Sequence, residues 1–367
     1  ISCHGSKYIQ NKILEILINN GIRLANPGEY TMRAFKNGKL DLSQAESIAD
    51  LIESESEAAH KTAIQHLRGG FSKKLKLLRQ KLIDFASLIE LELDFSEEDV
   101  EFANRNQLNN LLNELKSEIN VLIDSFKLGN VIKNGIPVAI LGAPNVGKST
   151  LLNLLLNEDK AIVSDIAGTT RDSIEDEINI KGYNFRFIDT AGIRKTDDTI
   201  ENLGIEKTIN HADKSNIIIY LIDASQNIDN QLDNIKNLSK ENQKKIIKVI
   251  NKIDLNKNLD ISTSEHILIS AKENFGTDEL KNRIFDFTNL NALDNNNTIV
   301  TNQRHYEQLK KTLSELKIAI EGLNNGLSGD LLAINIKQSL FHLGLITGEV
   351  TTDDLLSNIF GKFCIGK

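Results

Sequence analysis

A chain of 367 residues is longer than one compact core accommodates, so two or three domains are expected. Hydrophobic residues at 40% and charged residues at 26% are ordinary for a globular protein. The net charge of −8 excludes a chain that grips nucleic acid by bulk electrostatics, so any RNA contact must come from a local basic face, a folded pocket or a partner.

Cys3 and Cys364 lie at opposite ends with no CxxC or Cys/His spacing, so neither a disulfide framework nor a structural zinc site is expected, and a reducing compartment fits. Apolar runs such as Ile217 to Ile222 have strand length, well short of the ~20 residues a membrane span needs. The first residue is Ile rather than Met and no signal peptide is visible, so the expectation is a chain that begins inside its N-terminal domain.

Residues 1–36 mix short apolar stretches with an Asn26-Pro27-Gly28 turn. From Leu40 the pattern becomes helical, and Ser43 with Glu46 three residues later reads as a capping box at a helix start. The densest basic stretch is Lys73, Lys74, Lys76, Arg79 and Lys81, a run that is ordinarily a solvated helix face. Leu108, Leu111, Leu112, Leu115, Ile119, Leu122, Ile123 and Phe126 recur at spacings of three and four, which predicts an amphipathic helix with one buried stripe. At Gly135 the pattern changes. The runs 136–141, 178–180, 185–188, 217–221, 246–250 and 267–269 read as strands alternating with helices, the mark of a mostly parallel sheet. Lys181-Gly182 is placed as a hairpin turn. Beyond residue 290 comes an Asn-rich linker, Asn295 to Asn297, and then Tyr306, Leu309, Leu313, Leu316, Ile320 and Leu323 restore the helical spacing. Neither helical block has a full set of partners alone. The economical arrangement is an α/β domain (134–290) inserted in one all-α domain built from 37–133 and 291–367, after a short N-terminal piece (1–36).

Gly142-Ala143-Pro144-Asn145-Val146-Gly147-Lys148-Ser149 matches GxxxxGK[ST], follows a strand and opens a helix. Such a loop turns backbone N–H groups onto phosphates with help from the helix dipole. Lys148 would bridge the β- and γ-phosphates, and Ser149 would hold Mg²⁺. Asn145, Val146, Gly147 and Thr150 complete the set of loop candidates. Ser164, Asp165, Ile166, Ala167, Gly168, Thr169 and Thr170 follow, with a Thr placed to complete the Mg²⁺ shell. Asp189-Thr190-Ala191-Gly192 ends a strand; its Asp can hold a metal-bound water and its Gly can sense a γ-phosphate. Asn251-Lys252-Ile253-Asp254 ends another strand. A carboxylate there accepts from the N1–H and N2–H₂ of guanine, a donor pair adenine lacks. Ser270-Ala271-Lys272 offers a backbone donor for O6. Each tetrapeptide alone recurs by chance; the four in this order and spacing specify GTP over ATP.

Hydrolysis needs an oriented water and a compensating positive charge. Ras-like switches place a Gln just after the DxxG glycine, but here that position is Ile193, so Glu201 is the candidate for orienting the water. Arg171 and Arg194 are candidate cis arginine fingers, and Asn145 could instead seat a monovalent cation.

The chain resembles the MnmE (TrmE) family of tRNA-modification GTPases along essentially its full length. The residues that carry the resemblance are Pro27-Gly28-Glu29-Tyr30, Arg33-Ala34-Phe35, Lys39-Leu40-Asp41-Leu42-Ser43-Gln44-Ala45-Glu46, the nucleotide motifs above, Thr347-Gly348-Glu349-Val350-Thr351 and the tail Phe363-Cys364-Ile365-Gly366-Lys367. The resemblance implies a partial N-terminal α+β folate-binding domain, then a helical domain with the GTPase domain inside it. It implies a homodimer that joins a flavin-dependent partner protein in a heterotetramer and acts on tRNA, with no membrane. That complex installs an aminomethyl-type group at C5 of a wobble uridine, using a tetrahydrofolate derivative (5-formyl- or methylene-tetrahydrofolate) as one-carbon donor. It further implies hydrolysis stimulated by K⁺ at Asn145, with Ser164, Ile166 and Thr169 completing that site. Ser149 and Thr170 match the Mg²⁺ ligands, Glu201 the hydrolytic Glu, Lys39 and Lys367 the folate contacts, and Cys364 the functional C-terminal cysteine. A ribosome-assembly GTPase is the alternative, but residues 300–367 carry no GxxG clamp flanked by basic residues.

Overall fold

The computed structural model describes residues 1–94, 105–159, 176–188, 210–238, 245–256, 265–288, 298–361 and 363. The chain divides into two compact units. One holds residues 1–53, 62–123 and 303–367, and the other holds 54–61 and 124–302.

The first unit is helical. It contains α1 (Lys7–Asn19), α2 (Glu29–Lys36), α3 (Leu42–Ile52), the second part of α4 (Glu57–Leu67), α5 (Gly70–Asp94) and the first part of α6 (Arg105–Asn134). Leu108, Leu112, Leu115, Ile119 and Leu122 form the fully buried stripe of α6, as the three/four spacing predicts. Leu111, Ile123 and Phe126, at the stripe's margin, are only half-buried.

The expected start of α3 is corrected by two residues. Its cap is Asp41, whose carboxylate accepts from the backbone N–H of Gln44, while Gln44 Oε1 accepts from the N–H of Asp41. Ser43 donates to that same carboxylate at 2.7 Å. Asp41/Gln44 satisfies the capping-box spacing as well as Ser43/Glu46 does, and Glu46 is engaged elsewhere. The basic run on α5 is tied into the unit: Lys74 pairs with Glu118 at 2.7 Å, Lys76 with Asp41 at 3.3 Å, Lys81 with Glu114 at 2.5 Å, and Arg79 with Glu349.

The second unit is α/β. β1 (Ile136–Gly142), α7 (Lys148–Asp159), β2 (Asp176–Ile180), β3 (Tyr183–Phe187), β4 (Ile217–Asp223), α8 (Ile228–Asp233), β5 (Ile246–Asn251), β6 (Ile267–Leu268) and α9 (Thr277–Phe287) follow in chain order. The sheet runs β2-β3-β1-β4-β5-β6, parallel except for the β2–β3 hairpin. Lys181 (φ 51°) and Gly182 (φ 82°) turn that hairpin with both central residues left-handed, as a two-residue loop requires. Ile136, Val138 and Ile140 of β1 face one core with Ile217, Ile219 and Leu221 of β4, while Ala139, Leu141, Ile218, Tyr220 and Ile222 face the other. Both faces are covered, which is why β1 and β4 read as continuous apolar runs rather than alternating ones.

The helical unit closes with α10 (Gln303–Asn324), α11 (Gly329–Thr347) and α12 (Asp353–Phe360). Leu309, Leu316 and Ile320 of the predicted stripe are buried in α10. The Asn295 to Asn297 linker lies outside the described residues.

Candidate functional site

β1 delivers the chain to Gly142, and α7 begins at Lys148, so the GxxxxGK[ST] loop sits between a buried parallel strand and a helix N-terminus. Asn145 (φ 59°) and Gly147 (φ 101°) are left-handed, which curls the loop. Gly147 also has no room for a side chain, because an added Cβ would lie 2.4 Å from Nδ2 of Asn251.

That approach is the organising contact. Asn251, buried at the end of β5, donates from Nδ2 to the carbonyl of Val146 at 2.8 Å and accepts at Oδ1 from the N–H of Ala271 at 3.0 Å. One side chain therefore ties the phosphate loop, the NKxD turn and the Ser-Ala-Lys loop together. Ser270 donates to Asp254 Oδ1 at 2.7 Å, which fixes a carboxylate able to accept from paired donors on a base edge. Lys148 Nζ donates to the carbonyls of Gly142 and Ala143 at 2.8 Å each, and burial pushes its pKa down from the ordinary value. Ser149 is half-buried, while Asn145, Thr150 and Lys272 are exposed.

The elements beyond these motifs supply a residue that motif reading missed. Asp223 ends β4 directly opposite Asn251 in the parallel register, and its carboxylate accepts from Lys252 Nζ at 2.6 Å. Its signal was a lone acidic residue closing an otherwise wholly apolar strand level with the NKxD asparagine.

Ser164, Asp165, Ile166, Ala167, Gly168, Thr169, Thr170, Arg171, Asp189, Thr190, Ala191, Gly192, Arg194, Glu201, Cys364 and Lys367 lie outside the described residues. Lys39 is an exposed residue between α2 and α3, in the helical unit rather than among the nucleotide motifs. In that unit five of the resemblance segments meet. Gly28 is pressed against the end of α12, where an added Cβ would lie 2.6 Å from the carbonyl of Phe360 and 3.1 Å from Cβ of Phe363. Phe363, next to Cys364, packs in one cluster with Leu42 and Ala45, and Gly348 backs onto Phe35 and Leu42. Glu29 is held by Arg23, Arg33 and the N–H of Asn26, and these hydrogen bonds, Arg23 first, lower its pKa to about 2.

A second buried network lies in the same unit. Glu46 accepts from Arg304 Nε (2.9 Å) and Nη2 (2.6 Å) and from His305 Nε2 (2.6 Å). Arg304 also donates to the carbonyls of Leu345 and Ile346 at the end of α11, and the Phe71 ring stacks on His305 at 5.2 Å.

For a phosphate ligand with Mg²⁺, the described donor set fits: a lysine ammonium, a hydroxyl at a helix N-terminus and a glycine with no space for a side chain. Among the described residues no group of three or more His, Cys, Asp or Glu could hold a metal, and no helix is long and apolar enough to cross a membrane.

The profile of the MnmE helical domain matches residues 42–364, and that of the GTP-binding protein TrmE N-terminus matches residues 1–39. The tRNA modification GTPase MnmE of Flavobacterium johnsoniae is 54% identical over 380 residues, covering 100% of this chain and 82% of that protein. Its counterparts in Flavobacterium psychrophilum (55% over 378 residues; 100% and 81%) and Bacteroides fragilis (54% over 380 residues; 100% and 82%) are similar to the same extent. Among solved structures, the G domain of the T. maritima FeoB iron transporter is 25% identical, covers 42% of this chain and 98% of its own, and has a TM-score of 0.31.

Proposed function

Since the chain belongs to the MnmE family of tRNA modification GTPases and is a GTP hydrolase, we propose that it powers C5 modification of the wobble uridine in tRNA, adding an aminomethyl-type group (carboxymethylaminomethyl). It would work with a flavin-dependent partner, as a homodimer within a heterotetramer, and take its one-carbon unit from a tetrahydrofolate derivative. What supports this reading is Asn251. It gathers three guanine-nucleotide motifs into one site, in a chain whose other family segments converge around Gly28, Gly348 and Phe363.

In this reading Lys148 neutralises the phosphates, Asp254 reads the guanine edge, and Ser149 with Thr170 would hold Mg²⁺. The metal supplies charge neutralisation at the phosphate oxygens. Asn145, with Ser164, Ile166 and Thr169, would hold K⁺, and Glu201 would orient the attacking water because Ile193 cannot. Asn145 is exposed and left-handed at the crest of the loop, so its amide is free to turn toward a cation beside the phosphates. Lys39 and Lys367 would contact the folate, residues 1–36 would belong to its domain, and Cys364 would act in the tail.

The test is nucleoside mass spectrometry of tRNA incubated with the chain, the flavoprotein partner, folate donor, glycine as the source of the carboxymethylamino portion, and GTP, in KCl against NaCl. The modified nucleoside should form in KCl, and steady-state GTP hydrolysis should be potassium-stimulated in wild type but not in Asn145→Ala. Hydrolysis without any modified nucleoside would favour the ribosome-assembly alternative. Equal rates in the two salts would instead assign the missing charge to Arg171 or Arg194.

A further inference from the structure

We propose that Asp223 is a positioning residue for guanine recognition, acting through Lys252 to hold the turn that carries Asn251 and Asp254 in register. The proposal rests on the guanine-nucleotide site described above and concerns a residue outside its motifs.

Asp223 is 2% exposed and sits where β4 runs out, across the parallel pair from Asn251. Its backbone is gripped by one side chain: Gln231 accepts from the Asp223 N–H at 2.8 Å and donates to its carbonyl at 3.1 Å. Of the carboxylate oxygens, Oδ1 accepts from the N–H (2.9 Å) and hydroxyl (2.6 Å) of Ser225, and Oδ2 accepts from Lys252 Nζ (2.6 Å). Burial alone would raise this carboxyl's pKa, yet it lies below the ordinary value because Lys252 and Ser225 stabilise the charge. The carboxylate is thus fully used and rigidly mounted.

Lys252 is the residue that needs such an anchor. Its backbone is left-handed (φ 64°), a conformation that side-chain-bearing residues adopt only at a cost. That bend breaks β5 and feeds the short turn Ile253–Leu255, which contains Asp254. Upstream is Asn251, already fixed to Val146 and Ala271. If Lys252 relaxed toward an extended backbone, Asp254 would move relative to Asn251 and lose its bond to Ser270. The ion pair opposes this from the neighbouring strand, so base recognition depends on a side chain that touches no base. A local role at the end of β4, capping Ser225, is the competing explanation.

The experiment measures dissociation constants of GDP and IDP for wild type, Asp223→Ala, Asp223→Asn, Lys252→Met and the double variant Asp223→Ala/Lys252→Met, with circular dichroism and melting as the folding check. IDP lacks the N2 amino group that Asp254 would accept from. Asp223→Ala should weaken GDP by about tenfold or more and IDP by less, with Asp223→Asn in between. On the Lys252→Met background the same Asp223→Ala change should cost under about threefold. Equal losses for GDP and IDP, or an undiminished effect without Lys252, would overturn the proposal. A wild-type chain that failed to prefer GDP over ADP would instead overturn the guanine site itself.

Discussion

Lys148→Ala should lower GTP turnover by about 10²–10³-fold, the scale on which one preorganised charge at a developing oxyanion acts. GTP binding should weaken as well, by about ten- to a hundredfold, as expected for loss of a charge-assisted hydrogen bond. The reason lies in the mounting. Lys148 is half-buried, its ammonium bonds back to the carbonyls of Gly142 and Ala143, and burial biases it against carrying its charge alone. A phosphate arriving at that loop meets a desolvated cation already in place. Lys148→Arg should not restore activity, because a planar guanidinium cannot reproduce a point charge at the same distance. Single-turnover hydrolysis with a fluorescent GDP titration checks both parts; wild-type turnover in Lys148→Ala would contradict the assigned role.

The second large effect concerns stability. Glu46→Ala should destabilise the helical unit by about 3–5 kcal/mol, since it strands the buried charge of Arg304 beside His305. Its melting transition should fall by on the order of 10 °C. Glu46 lies in the other unit from the nucleotide motifs, so GDP affinity should stay within about twofold of wild type. The pH dependence has a definite sign. Burial would raise the pKa of Glu46, but His305 and then Arg304 bring it down from 4.5 to about 2. A depressed carboxyl contributes its stability above the unfolded value and loses it as pH falls from about 4.5 toward 2. Wild type and Glu46→Gln should therefore converge in stability over that window. Denaturant titrations from pH 7 to pH 3 measure this; a gap that stayed constant would show that the carboxylate charge is not what matters.

The α/β unit was largely legible because its signals are local. β1 and β4 are apolar runs bounded by turns, Lys181-Gly182 announces a hairpin, and GxxxxGK[ST] carries its own strand-loop-helix context. The start of α3 was misplaced because two cap pairs two residues apart both satisfy the spacing, and only the tertiary engagement of Glu46 with Arg304 and His305 decides between them. Those partners are 258 and 259 residues distant, beyond any periodicity. Asn251 shows the same limit within the site. Its motif was visible, but its bond to Val146, 105 residues away, and the glycine it imposes at 147 are consequences of the fold. The basic run on α5 likewise cannot be read as solvated or paired until Glu114, Glu118 and Asp41 come beside it.

The most direct test of the guanine site is the nucleotide preference of Asp254→Asn. The Asp254 carboxylate, held by Ser270, is the acceptor for the paired donors of guanine; an amide there offers a donor instead and matches the C2 carbonyl of xanthine. Hydrolysis of GTP, XTP and ATP should be compared at equal concentrations for wild type and Asp254→Asn. The expected result is a loss of about 10²-fold or more in kcat/KM for GTP, a gain for XTP and no gain for ATP. A variant that kept its GTP preference would place guanine recognition somewhere other than Asp254.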